Sequence, residues 1–270
     1  MHIVDTHCHA GINWFEPVEM LLHQMNMNGV QSAVLIQHGG NYDNQYLLEC
    51  VQRFPGRFAA VVGVDPTAVN ASATLEGVAK EDGVVGLRLR PTDRSPGPDP
   101  LAIWRKAGEL GLPISCFAIN ADHTASAEFR ALVADLSGCQ IVLEHLAGVY
   151  QSHSPQSATP PFTAYRTALT LATYPNTYIK FCGLGEFCIR PPRLQPHFGF
   201  ADVPPLVEMA YEAFGPRRMM WGSDYPPVSG REGYRNALQG MVEHPAFTSP
   251  EDREWAFGKT AQEVWKLDRL

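Results

Sequence analysis

The chain predicts an α/β fold, a single-domain (β/α)8 TIM barrel over residues 1–270, on three observations. Eight short apolar runs recur from one end to the other. Segments with helical spacing of apolar residues lie between them, the alternation expected of a parallel sheet covered on both faces. A length of 270 residues with 45% hydrophobic content also suits one barrel of about 250 residues. A doubly wound open sheet is the alternative, but no Gly-rich phosphate turn follows the first run.

Strand 1 is expected over 3–7, where Ile3 and Val4 begin a β-type run, and strand 2 over 32–37. A helix follows at 44–54, with Leu47, Leu48, Val51 and Phe54 on one stripe. Strands 3 and 4 fall at 58–64 and 84–89. The helix at 101–110 stops at Gly111, and Pro113 leads into strand 5 at 114–118. Strands 6 and 7 occupy 140–145 and 177–182. The segment 206–214 places Val207, Ala210, Tyr211 and Phe214 at helical spacing, ahead of strand 8 at 218–221. A last helix, 251–267, closes the chain. Two Pro-rich segments, 91–100 and 189–203, break the rhythm. Both follow strand C-terminal ends, the face where barrel active sites are built.

A net charge of −7 argues against nucleic acid as the main partner. Six scattered cysteines, at 8, 50, 116, 139, 182 and 188, form no CxxC pair, which suits reduced thiols better than a disulfide framework. The first residues lack a basic-then-apolar leader, and no apolar run approaches the length of a membrane span. The expectation is a cytoplasmic protein with no membrane partner. The sequence is compatible with a homodimer and does not require one.

The polar residues at strand ends carry the chemistry. His7 and His9 form an HxH, and since successive side chains of a strand alternate, Asp5, His7 and His9 share one face. Two imidazoles about 7 Å apart on one face can converge on a metal, a water or a substrate oxygen. His145 ends the sixth run and Asp224 follows the eighth. A charged group there is costly unless it is solvated, paired or ligated. In a barrel His7, His9, His145 and Asp224 meet at one mouth, a set suited to metal-assisted or general-base hydrolysis. Taken singly, His145 also reads as a histidine bonded to backbone and Asp224 as a turn residue before Tyr225-Pro226-Pro227. Arg88 and Arg90 have the same parity and can both face inward, where a guanidinium binds a carboxylate in bidentate fashion. The competing reading of Arg88 is an ion pair with Glu144 or Asp65. Lys180 is expected to pair within the barrel, and Arg190 and Arg193 to be solvated loop charges.

VDTHCH, IVLEHLAG, YIKFCGLGEF and RRMMWGSDYPP, in this order, resemble the amidohydrolase superfamily in its amidohydrolase-2 branch, down to the closing AFGKTAQEVWKL. The pattern is most similar to the branch's lactonases, of the 2-pyrone-4,6-dicarboxylate and sugar lactonase types, whose GxRxxR-type strand resembles Gly86–Pro91. The resemblance implies a barrel with its site at the C-terminal face, and an enzyme. It also implies Asp224 and His145 as catalytic residues, Arg88 and Arg90 as substrate-binding ones, and His7, His9 and Asp224 as ligands of one divalent ion, zinc, or as a metal-free site. Two departures narrow this. Phe117 or Cys116 stands where the metal-dependent decarboxylases of the branch carry a fifth-strand histidine, and the fourth strand has no lysine to carbamylate between two metals. The leading expectation is a hydrolase opening a lactone of a small carboxylated or sugar acid, with Asp224 activating water. A mononuclear metal-dependent decarboxylase of an unsaturated or aromatic acid and a non-catalytic metabolite-binding barrel are the alternatives.

Overall fold

The computed structural model describes residues 1–193, 200 and 203–267. Its eight strands are β1 (Val4–Cys8), β2 (Ser32–Ile36), β3 (Phe58–Gly63), β4 (Val84–Leu89), β5 (Ile114–Cys116), β6 (Ile141–Leu143), β7 (Thr177–Phe181) and β8 (Met219–Trp221). They pair in parallel and in chain order. The ring closes just beyond β8: the Asp224 N–H donates to His7 O and the His9 N–H to Tyr225 O, each at 2.8 Å. Gly222 permits that seam, because a Cβ there would lie 2.6 Å from the His7 Cβ. The architecture is the (β/α)8 barrel expected from the sequence.

The larger apolar core lies between the strands and the surrounding helices and includes Leu35, Phe58, Trp104, Phe129, Phe181 and Trp221. The barrel's interior is built in layers by strand alternation. Val4, Val34, Val61, Val142 and Met220 form a second apolar cluster, packed with Trp265 from the closing helix. Two residues further along their strands, the inward positions become polar. Glu144 follows Val142, and Lys180 follows Tyr178. Arg88, Ser115, Glu144 and Lys180 then form a bonded layer above the apolar one. Among the described residues no helix is long and apolar enough to cross a membrane.

Three expectations change. The regular alternation expected of 3–9 fails: Asp5 pairs with Ala33 but Cys8 with Leu35, so β1 carries an extra residue. Asp5 therefore leaves the histidine face. Its carboxylate accepts from the Ser223 N–H at 2.8 Å and from the Tyr234 hydroxyl at 2.9 Å. Second, His145 lies beyond β6. It opens a turn in which His145, Leu146, Ala147 and Gly148 all have positive φ, of 47°, 50°, 62° and 91°. Left-handed backbone costs non-glycine residues roughly 1–2 kcal/mol each, and such strain concentrates at functional sites. Third, the expected helix 251–267 is broken into Pro250–Glu254, a wider π-type turn at Trp255–Lys259, and Thr260–Trp265. The segment 91–100 does sit at the C-terminal end of β4. Of the segment 189–203, residues 194–199 and 201–202 lie outside the described residues.

Candidate active site

His7, His9, His145 and Asp224 meet at the C-terminal mouth, each less than a tenth exposed. The His7 and His145 Nε2 atoms are 3.1 Å apart. The His7 ring stands edge-on to both His9 and His145, with centroids at 5.1 and 4.5 Å. His9 Nδ1 lies 2.7 Å from Ile36 O. A carbonyl only accepts, so Nδ1 carries the proton and the Nε2 lone pair is free. Phe15 stacks on His9 at 4.8 Å, and Tyr150 leans on His145 at 4.6 Å.

Burial sets the protonation states. It pushes the His7 imidazole well below its ordinary range, assisted by the neighbouring His145. Burial likewise brings His9 and His145 down to about 3. All three rings are therefore neutral near pH 7. Burial pushes the Asp224 carboxyl the other way, to about 6, although the Arg231 charge opposes the shift. Arg231 Nη2 donates to Asp224 Oδ2 at 2.9 Å, and its Nε lies 3.4 Å from Glu232 Oε2. The site thus offers a carboxylate that gives up its proton just below neutrality and neutral imidazoles whose N–H groups and lone pairs can be aimed.

The polar layer beneath is charged. Arg88 donates through Nη2 to Glu144 Oε2 at 2.6 Å, through Nε to both carboxylate oxygens at 3.2 Å, and through Nη1 to Gln37 O at 2.9 Å. Its guanidinium also lies 4.4 Å over the Phe117 ring. The ion-pair reading of Arg88 is the one the geometry displays, with Glu144 as the partner. Phe117 is a platform for that pair. Ser115 donates to Glu144 Oε1 at 2.6 Å, and Lys180 Nζ donates to Ser115 Oγ at 2.9 Å. Burial tends to raise the Glu144 carboxyl, but the Arg88 and Lys180 charges outweigh it and hold it at about 2. Burial lowers Lys180 to about 8. Two cations thus face one carboxylate, and the excess positive charge lies directly below the histidines.

Arg90, by contrast, is exposed past the end of β4. It borders a small cavity of about 40 Å³ with His38, Asn41, Tyr42, Asp93 and Phe117. A larger cavity of about 680 Å³ opens on the other side, lined by Gln151, Ser152, Glu186, Arg190, Arg231 and Glu232. Glu186 is pushed to about 7 by burial there, against the pull of Arg231. Arg193 is exposed.

The donor set fits a metal. Ligating atoms of His7, His9 and Asp224 lie within 4.8 Å of one another. Neutral imidazoles and a carboxylate oxygen are donors that a divalent metal accepts. A second set, His7, His145 and Cys182, satisfies the same spacing and shares His7.

Sequence reasoning missed Arg231, which sits seven residues after Asp224 in an irregular loop. It also passed over Tyr150, Glu186 and Cys182. Only Cys182 had a readable signal, since it has the parity of Lys180 and directly follows the strand.

The amidohydrolase family model, Amidohydro_2, matches residues 4–267. The chain is 28% identical over 261 residues to an L-fucono-1,5-lactonase of Burkholderia ambifaria, covering 90% of this chain and 82% of that one. It is 25% identical over 221 residues to a 4-sulfomuconolactone hydrolase of Hydrogenophaga intermedia, covering 78% and 65%. Among solved structures, a zinc-bound amidohydrolase from Burkholderia multivorans superposes with a TM-score of 0.76 at 18% identity, over 98% of this chain and 99% of that one.

Proposed function

The chain belongs to the amidohydrolase family, an enzyme family, and from that premise we propose that it hydrolyses the lactone of a small carboxylated or polyhydroxylated acid. The observation that carries this reading is the Asp224 carboxylate, buried beside three neutral histidines and held by Arg231. The two curated relatives, both named for lactone hydrolysis, support the substrate class.

In this reading Asp224, ionised above about pH 6, takes a proton from water as the water oxygen adds to the lactone carbonyl. Arg231 fixes the carboxylate's orientation. The developing oxyanion faces the excess positive charge of Arg88 and Lys180 over Glu144, preorganised within the buried site. Collapse breaks the ring C–O bond, and the proton held by Asp224 passes to the departing ring oxygen. The product is a hydroxy acid. His145 acts beside Asp224, its Nε2 3.1 Å from that of His7. Since Arg88 is committed to Glu144, the anchoring of a substrate carboxylate falls to Arg90 at the rim.

A divalent ion bound by His7, His9 and Asp224 would supply Lewis-acid polarisation of the carbonyl and an acidified water. The N,N,O donor set is one that zinc accepts. Arg88, Glu144, Lys180 and Arg231 keep the same duties whether or not an ion is bound.

The test is a panel of five- and six-membered lactones, neutral and carboxylated, followed by proton release. Ring opening of at least one class, lost in Asp224→Asn, is the expected result. Release of CO2 from an unsaturated or aromatic acid, with every lactone left intact, would overturn the reading in favour of a decarboxylase.

A further inference from the structure

Four buried groups in a row have only one consistent placement of their protons, and the last of them has no role in the reaction above. His7 Nδ1 lies 3.9 Å from Glu144 Oε1 and has no hydrogen-bond partner. Next to an ionised carboxylate, that nitrogen is stabilised when it bears the proton, and two lone pairs facing each other would repel. The His7 Nε2 lone pair then points at His145 Nε2, 3.1 Å away. His145 Nε2 must in turn bear its proton, for the same reason. A neutral imidazole carries one proton, so His145 Nδ1 is an acceptor in need of a donor. Cys182 Sγ lies 3.3 Å from that nitrogen.

We propose that the Cys182 thiol is a positioning residue that donates to His145 Nδ1 and so holds the His145 N–H at Nε2, facing the reaction centre. The local backbone is shaped for it. Cys182 is the first residue after β7, and the chain bends at once through Gly183, whose φ is +72°. A Cβ on Gly183 would lie 3.4 Å from Asp224 Oδ2 and 3.6 Å from His145 Nδ1. A side chain at that position would crowd the two groups the thiol stands beside. Cys182 is 6% exposed, so no bulk water competes for the nitrogen. The arrangement engages the His7 Nε2 lone pair with the His145 N–H.

The primary experiment does not need a substrate. Proton-detected 15N NMR of the histidine rings reports which nitrogen of His145 bears hydrogen, in the wild type, Cys182→Ser and Cys182→Ala. The expected result is Nε2–H in the wild type and in the serine variant, which keeps a donor. The alanine variant, with its Nδ1 orphaned, should show a mixture of tautomers. With a working lactone, Cys182→Ala should lower kcat about tenfold or more with KM little changed, the range typical of groups that orient a site residue from behind, and serine should restore most of it. Nδ1–H in the wild type would overturn the proposal, because the sulfur would then be the acceptor. So would an alanine variant with unchanged tautomer and kcat. A thiolate-to-metal charge-transfer band in the cobalt-loaded protein, lost in the serine variant, would also overturn it by making Cys182 a ligand. The NMR arm stands even if the lactonase reading fails, so the two failures are distinguishable.

Discussion

Replacing Arg88 by Met separates two duties a guanidinium at this position can have. Arg88 makes three hydrogen bonds to Glu144, at 2.6, 3.2 and 3.2 Å, and the carboxylate is fully buried. Removing one partner of a buried pair strands the other charge, at about 3–5 kcal/mol. The lower end applies, because Lys180 still reaches Glu144 through Ser115. Holding Glu144 at about 2 instead of 4.5 corresponds to about 3 kcal/mol from Arg88, Lys180 and His145 together, an upper bound on the share of Arg88. The sign follows from the direction of the shift. A depressed carboxyl stabilises the fold above its unfolded value near 4.5 and loses that contribution as pH falls through about 2. Urea unfolding at pH 7 should show Arg88→Met less stable by about 3 kcal/mol, with an unchanged m value and a flatter stability profile between pH 4.5 and 2. Glu144→Gln in the same background should recover part of the loss, since no stranded charge remains. An Arg88→Met protein as stable as the wild type, but with a strongly raised KM, would refute this reasoning and return Arg88 to substrate anchoring.

Asp224→Asn should lower kcat by about 10²-fold or more while ligand binding persists, because shape is kept and proton acceptance is lost. Wild-type kcat/KM should fall tenfold per pH unit below about 6, where Asp224 takes up its proton, as a pH–rate profile would show. Arg231→Met removes the charge that opposes this rise, so the acid limb should move to higher pH in the same assay. Elemental analysis should find at most one divalent ion per chain, with occupancy falling in His7→Ala and His9→Ala. Two ions per chain would contradict the site geometry.

Much of this was legible in the sequence because a barrel turns parity into direction. Apolar runs placed the strands, and the strand ends placed His7, His9, His145 and Asp224 at one mouth without any knowledge of the loops. Parity also showed that Arg88 faces inward, and left Glu144 and Asp65 open as its partners, since Glu144 lies two strands further along the barrel. Alternation fails where the backbone is irregular. The bulge in β1 turns Asp5 away from the histidines, and the left-handed turn at 145–148 re-aims His145. Arg231 was hidden for a related reason: a loop has no period, so its return to Asp224 leaves no mark in the spacing.

Water labelling tests the central claim most directly. Ring opening by attack on the carbonyl must place one solvent oxygen in the product carboxylate. In H2(18)O, mass spectrometry of the product of a lactone turned over by the wild type should show one 18O per molecule, located in the carboxyl group, and Asp224→Asn should form that product about 10²-fold or more slowly. Product with the label in the hydroxyl group, or CO2 released with no label incorporated into the remaining product, would contradict it.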